Sequence, residues 1–302
     1  MTQMPAISLV APPGRIAPIL EAAQKAEKIG FTGIYSPSFG DCIGLCLAMA
    51  QVTDTINLGT SIQPIYFRNP LELARAASFI HEVSAGRFRL GIGVSHAPVH
   101  QMIGVQVGKP LSDTRDYVAN MRAAEPQTGP LPPITLATLR DKMLALSTEI
   151  AEGAVWANGA RSHMKTQLAN VPSEQRTGKD FFIGDMIPTV IPDDKKAAAN
   201  VCRKLLMGYI QLPNYRNYWK AAGYVEEMDA IEAAIEKGDR DALPGLMSEN
   251  WLSDVTLYGS LSDVREGLEA WFDTGLKTPI LVPSSASGGQ LKAIEELYAA
   301  FS

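Results

Sequence analysis

The sequence predicts an α/β protein of the (β/α)8 TIM-barrel class, and three observations carry that prediction. Eight short apolar runs, many β-branched, recur along the chain, and nearly every one is followed by a segment of helical periodicity. The runs are apolar throughout rather than alternating, which marks parallel strands covered on both faces. The length of 302 residues suits one barrel with an insertion. A doubly wound open sheet is the alternative. Against it, Gly91-Ile92-Gly93 is the only GxG after a strand; it lacks the third glycine at dinucleotide spacing, and no helix begins there.

Ile7 to Ala11 is the first strand, stopped by Pro12-Pro13-Gly14. Ile16, Ile19, Leu20, Ala23, Ala26 and Ile29 follow at near-helical spacing, and Gly30 closes that helix. Phe31 to Tyr35 is the second strand, ending at Ser36-Pro37-Ser38, and Ile43 to Val52 is an apolar helix. Ile56 to Ile62 is the third strand. A turn from Pro64 to Pro70 leads into a helix, Leu71 to Val83, with small residues on one face. Arg87 to Val94 is the fourth strand and ends at Ser95-His96.

Val94 to Pro110 reads as loop, and Ser112 and Asp113 open a helix to about residue 124. Ile134 to Thr138 is the fifth strand, Leu139 to Gly153 a helix, and Ala154 to Ala157 the sixth strand. Ser162 to Val171 is polar and helical. Phe181 to Ile191 is the seventh strand, with an irregular end because Pro188 cannot donate in a ladder. Asp193-Asp194 cap a helix from Lys195 to Tyr209. Residues 211–252 hold no strand pattern and read as a helical insertion. Ser260 caps a helix to Thr274, Thr278 to Pro283 is the eighth strand, and Gln290 to Phe301 is the last helix. Residues 1–302 are thus expected to form one barrel domain.

Hydrophobic residues make up 46% and charged residues 20%, and the net charge is -5 with both signs interspersed. No basic block offers a surface for nucleic acid or anionic lipid, so the electrostatics favour a small-molecule enzyme. No apolar run is long enough to cross a bilayer, and the first residues have neither the positive start nor the apolar core of a signal peptide. Three scattered cysteines do not make a disulfide framework. Cys42 and Cys46, one helical turn apart, pack in a helix without the further ligands a metal needs. Reduced thiols and a cytoplasmic setting fit best.

The stretch NLGTSIQPIYFRNPLELARAASFIHEVSAGRFRLGIGVSH, from Asn57 to His96, resembles the luciferase-like flavin and deazaflavin oxidoreductases. Within them it looks most like the branch that uses coenzyme F420, an 8-hydroxy-5-deazaflavin. Four further segments resemble that branch in the same order: GVSHAPVHQMIGVQVGKPLSDTRDYVANMRA, PPITLATLRDKMLALSTEIAEGAVWAN, MGYIQLPNYRNYWKAAGY and GSLSDVREGLEAWFDTGLKTPILVP. The matches run from Gly30 to Pro283; each is weak alone, and their joint order is specific.

The resemblance implies hydride transfer between coenzyme F420 and a small organic substrate. An FMN-dependent monooxygenase and a non-catalytic barrel protein are the alternatives. It implies a strand bulge with a non-prolyl cis peptide at Ser61-Ile62, backing the deazaflavin ring, with the small Ser61 allowing close approach. The plain alternative is an ordinary strand end with a trans bond. It places the coenzyme's phosphate tail at Ala137-Thr138-Leu139-Arg140, where amides at a helix start attract an anion and Thr138 and Arg140 add a hydroxyl and a charge. Relatives carry Gly-Pro where this chain has Arg140-Asp141, and Asp141 opposes phosphate, so a helix cap with a surface arginine remains the other reading. Ala157-Asn158, ending the sixth strand, is the neighbouring cofactor candidate.

Relatives often end the second strand with an acid or histidine facing the reactive carbon. Here Ser38 stands there, able to hydrogen-bond but a poor base. His96, next to the candidate cofactor residue Ser95, is the substitute, since imidazole exchanges protons near neutrality. Its other reading is a hydrogen-bonding loop histidine. His100 can share the rim if the loop turns, whereas His81 and His163 carry no special signal. Tyr66 and Arg68 follow the bulge and either line the pocket mouth or, for Arg68, pair with Glu72 one turn on. Tyr209, Tyr215, Tyr218 and Trp219 gather in the insertion as a lid, as packing or as a dimer face. Relatives commonly dimerise, so the resemblance also implies a homodimer.

Overall fold

The computed structural model describes residues 3–192 and 194–302. In chain order its elements begin with β1 (Ala6–Ser8), α1 (Ile16–Ile29), β2 (Gly33–Ser36), α2 (Cys42–Val52), β3 (Asn57–Thr60) and β4 (Gln63–Pro64). A 3-10 turn (Ile65–Phe67), α3 (Pro70–Val83), β5 (Phe88–Gly93), α4 (Ala97–Ile103), α5 (Pro110–Ala123) and α6 (Glu125–Thr128) follow. Next are β6 (Ile134–Ala137), α7 (Asp141–Ile150), β7 (Gly153–Ala157), α8 (Arg161–Leu168), α9 (Ser173–Thr177), β8 (Phe182–Val190) and α10 (Lys195–Leu206). The chain ends with α11 (Pro213–Ala221), α12 (Val225–Glu236), α13 (Leu243–Leu246), α14 (Glu249–Val255), β9 (Leu257–Tyr258), α15 (Leu261–Phe272), β10 (Thr278–Ser284) and α16 (Gln290–Phe301).

All eight expected strands are present, and two short ones, β4 and β9, are added. Neither two-residue strand is long enough to show a periodicity. The stretch expected as loop after β5 contains α4, which Gly104 ends in the left-handed conformation at φ 67°. Its sequence APVHQMI is too short for a periodic signal and opens with a proline at a first-turn position, where no backbone donor is missed. The helix expected over 139–153 is confined to Asp141–Ile150. Of the expected cap on α10, Asp194 accepts from the Lys196 and Ala197 amides, and Asp193 lies outside the described residues.

The chain falls into two compact units. The first comprises residues 1–156 and 170–184. Its strands lie side by side in the order β1-β2-β3-β5-β6-β7, and the paired strands run parallel. Each ladder follows chain order because each strand is returned by a helix of about ten residues or more, as parallel pairing requires. Ile7, Ile34, Leu58, Leu90, Ile92, Ile134 and Leu136 form the apolar strand core. The second unit comprises residues 157–169 and 185–302. In it β9 pairs in parallel with the end of β8, Thr189 opposite Leu257 and Val190 opposite Tyr258. Trp219, Trp251, Trp271 and Tyr218 are its largest fully buried side chains. No described helix is long and apolar enough to cross a membrane.

Candidate active site

Parallel strands place all their C-terminal ends on one edge, and in the first unit the polar residues collect there. β3 stops at Thr60, the Ser61–Ile62 peptide is cis, and β4 resumes pairing with β5 in a new register, Gln63 opposite Ile92 and Pro64 opposite Gly93. The bulge foreseen at Ser61-Ile62 is therefore present. Its hydrogen bonds are satisfied locally: the Ser61 amide donates to the Ser36 carbonyl at 2.8 Å, and the Thr60 hydroxyl donates to the Gly91 carbonyl at 2.7 Å. Ser61 is buried and Ile62 half-buried.

The two glycines of β5 explain how the bulge fits. A Cβ on Gly91 would collide with the Thr60 carbonyl oxygen and touch Ile62 Cγ2 at 3.4 Å. One on Gly93 would lie 2.6 Å from Ala137 Cβ and 3.2 Å from Ile62 Cγ1 and Cδ1. Gly91 and Gly93 thus serve close packing against Ile62 and Ala137, not a dinucleotide loop. Their alternation in a strand, both on one face, was the available signal.

Below the bulge the side chains are neutral. The Cys42 thiol donates to Gln63 Oε1 at 3.3 Å and the Cys46 thiol to the Gly59 carbonyl at 3.3 Å. Burial, with Asp41 adding to it, pushes the Cys42 thiol up to about 12, and burial drives Cys46 well above its ordinary value. Neither is a nucleophile near neutrality. Among the described residues no group of histidine, cysteine or carboxylate side chains could hold a metal ion.

Past β5 the chain enters the left-handed region at Ser95, φ 62°, which a non-glycine residue rarely adopts. That turn delivers His96 to the position before α4, where its carbonyl accepts from the Val99 and His100 amides. Burial, then the neighbouring His100, lowers the His96 pKa, so the imidazole is neutral at pH 7. His100 does share the rim. Its Nε2 lies 2.5 Å from the Val94 carbonyl and must carry the proton there, because a carbonyl only accepts.

Tyr66 packs edge-on against His100 at 5.1 Å, and its hydroxyl donates to Asp113 Oδ2 at 2.5 Å. The same oxygen accepts from the Gly108 amide at 2.8 Å. Burial and the Asp113 carboxylate both raise the Tyr66 pKa. Asp113 was read only as a helix opener; its role as an anchor between two loops depends on a contact 47 positions apart, which periodicity does not report. Arg68 pairs with Glu72 at 2.9 Å as expected and also with Asp41 at 3.0 Å. Ser38 is half-buried on the loop after β2.

At the end of β6, Ala137 is half-buried and Thr138 buried. The Thr138 amide is taken by the Val155 carbonyl at 2.8 Å, leaving only the hydroxyl to act. That hydroxyl is buried and has no hydrogen-bond partner among the described residues. A buried orphan hydroxyl is costly unless something else satisfies it, so it marks a place for a ligand's polar atom. Leu139 is half-buried and Arg140 exposed, directly before α7. Asp141 stands in the first turn of α7.

Ala157 and Asn158 belong to the second unit. Asn158 is buried and left-handed, φ 56°, with its amide donating to the Met186 carbonyl and its carbonyl accepting from Trp219 Nε1 at 3.2 Å. The amides before α8 are already used: Gly159 donates to Asp185 Oδ1 at 3.3 Å and Ala160 to the Tyr218 hydroxyl at 2.9 Å. Asp185 is fully buried, and burial raises its carboxyl to about 8 against the opposing pull of the Gly159 and Met186 amides. Tyr215, Tyr218 and Trp219 are buried, with Tyr215 5.0 Å from Tyr209 and 5.3 Å from Trp219, so this cluster is core packing of the second unit.

A family profile described as luciferase-like monooxygenase matches residues 4–278. A Mycobacterium tuberculosis protein carrying the name coenzyme F420-dependent oxidoreductase is 25% identical, the alignment covering 91% of this chain and 92% of that one. The solved structure of a coenzyme F420-dependent tetrahydromethanopterin reductase from Methanopyrus kandleri superposes with a TM-score of 0.72 at 17% identity, over 98% of both chains. An F420-dependent secondary alcohol dehydrogenase, solved in complex with an F420-acetone adduct, gives a TM-score of 0.71 at 16% identity over 99% of this chain and 98% of that one. The fold is the (β/α)8 barrel that the strand pattern predicts.

Proposed function

The chain belongs to the luciferase-like monooxygenase family, and on that premise we propose that it is an oxidoreductase exchanging hydride between coenzyme F420 and a small organic substrate. The observation that carries the cofactor assignment is the relatives' own: the M. tuberculosis protein and both solved structures are named for F420 and align over nine-tenths of this chain or more. The residues of the first unit fit such a group. Ser61 and Ile62 present a small, neutral surface braced by Gly91, Gly93 and Ala137. The orphan Thr138 hydroxyl, followed by Leu139 and the exposed Arg140, offers a donor and a positive charge to an anionic tail. Ser95 turns His96 toward the same edge.

The deazaflavin supplies, when bound, a hydride donor or acceptor at its C5 carbon. The protein holds the proton. His96, neutral at pH 7, takes a proton from a substrate hydroxyl in the oxidising direction and returns it in the reducing one. Ser38 supplies a hydrogen bond rather than a base, in the place where relatives carry an acid or histidine. Free, buried Cys42, Cys46 and Cys202 suit a reducing compartment, and we place the enzyme in the cytoplasm as a homodimer.

The test is a titration of the purified protein with F420 and, separately, with FMN. Micromolar binding of the deazaflavin is expected. Binding of FMN with none of F420 overturns the assignment and favours the monooxygenase reading.

A further inference from the structure

Nine large hydrophobic side chains stand exposed among the described residues, and five of them belong to one set of loops: Phe39, Phe67, Met102, Val107 and Leu111. Phe39 and Met102 are 74% and 76% exposed, which is unusual for side chains of that size. The loops are tied to one another by the polar contacts already described. Asp41, two residues from Phe39, pairs with Arg68, the neighbour of Phe67. Tyr66, on the other side of Phe67, bonds Asp113, two residues from Leu111, and its ring meets His100, two residues from Met102. Gly108, next to Val107, donates to the same Asp113. The five apolar groups therefore rim one edge, the edge that carries Ser61, Ile62 and His96.

Formal charge on this edge is sparse and mostly consumed. Across residues 36–41, 61–68 and 94–113 the only charged side chains are Asp41, Arg68, Lys109 and Asp113. Arg68 is shared between Asp41 and Glu72, and Asp113 accepts from Tyr66 and Gly108. The buried polar groups beneath, Thr60, Ser61 and Gln63, are neutral. Such a surface offers an anionic substrate one exposed lysine and offers hydrocarbon a continuous landing.

We infer that the substrate is an uncharged, apolar carbonyl or carbinol compound whose hydrocarbon part lies on the rim of Phe39, Phe67, Met102, Val107 and Leu111. This rests on the F420 reading for its chemistry. In the oxidising direction the carbinol carbon gives up a hydride, carrying both electrons to the deazaflavin, and the oxygen gives its proton to His96, leaving the ketone or aldehyde.

The experiment has a cofactor-free arm and a turnover arm. In the first, 2-alkanones from butanone to decanone compete with an environment-sensitive apolar dye on the unliganded protein. In the second, the matching 2-alkanols are assayed with F420, following loss of deazaflavin absorbance. Affinity and kcat/KM should each rise with chain length, up to about fourfold per added methylene, the ratio that ~0.8 kcal/mol per buried CH2 implies. Phe39→Ser and Met102→Ser should flatten both slopes, while Phe79→Ser, an exposed phenylalanine on α3 outside the rim, should leave them unchanged.

Chain-length-dependent binding without turnover would retain the apolar rim and count against the F420 reading alone. Three results overturn the inference: affinity independent of chain length, tighter binding of ω-carboxylate analogues that is lost in Lys109→Gln, or a dimer that Met102→Asp converts to monomer, which would show the rim to be covered by a second copy.

Discussion

Removing the Tyr66 hydroxyl tests whether the loop that carries His96 is anchored from outside itself. Tyr66→Phe keeps the ring edge against His100 and deletes only the bond to Asp113. A hydrogen bond to a charged acceptor contributes about 1.5–3 kcal/mol when sheltered. Both partners here are half-buried, and Asp113 retains the Gly108 amide, so the lower end applies, roughly 1 kcal/mol. A double-mutant cycle with Asp113→Asn, read by urea unfolding, should return a coupling near that value. The local effect should be larger than the global one. With the strut gone, His100 and the chain from Val94 to Gly108 loosen, and their amides should exchange faster. His96 is held below the ordinary histidine value by burial and by His100. Relaxing both causes moves its titration upward, toward 6.5. Histidine NMR can follow this, since the chain has only four histidines. A coupling below about 0.3 kcal/mol, together with an unmoved His96 titration, would refute the strut.

Thr138→Val should act with opposite signs on stability and on binding. It removes a buried hydroxyl without a partner, so the unliganded protein should be as stable as the parent or slightly more so; F420 affinity should fall roughly tenfold, measured by titration. Equal affinity would remove Thr138 from the cofactor site. Asp185→Asn should change how stability depends on pH. The folded protein keeps the Asp185 proton to about pH 8, whereas an unfolded aspartate loses it near 3.9. The folded state therefore binds more protons between those values; the group's stabilisation is complete below that window and lost as pH rises through it, by about 1 kcal/mol per unit. Asparagine still accepts from the Gly159 amide but does not ionise, so the variant should lose less stability than the parent between pH 5 and 8 in urea melts. Parallel curves would show that Asp185 is not held protonated.

Much of this protein follows from local patterning. Continuous apolar runs returned by helices mean parallel strands, and that was enough for the fold class and for all eight long strands. The family resemblance on Asn57–His96 placed the bulge at Ser61-Ile62, because a close approach of backbone to backbone leaves a local trace of small residues. Arg68 and Glu72, four residues apart, paired as helical spacing dictates.

The remainder depended on contacts between distant segments. Gly91 and Gly93 acquire their meaning from Thr60, Ile62 and Ala137, which register alone brings beside them. Asp113 reaches Tyr66 across 47 positions, and Asp185 reaches Gly159 across 26. Thr138 is a fifth-strand threonine in the sequence; only burial, with its amide taken by Val155 and its hydroxyl left without a partner, makes it a candidate ligand contact. Local composition determines which face of an element is apolar. Which polar atoms remain unsatisfied once those faces are packed is decided by the tertiary structure, and the chemistry follows from them.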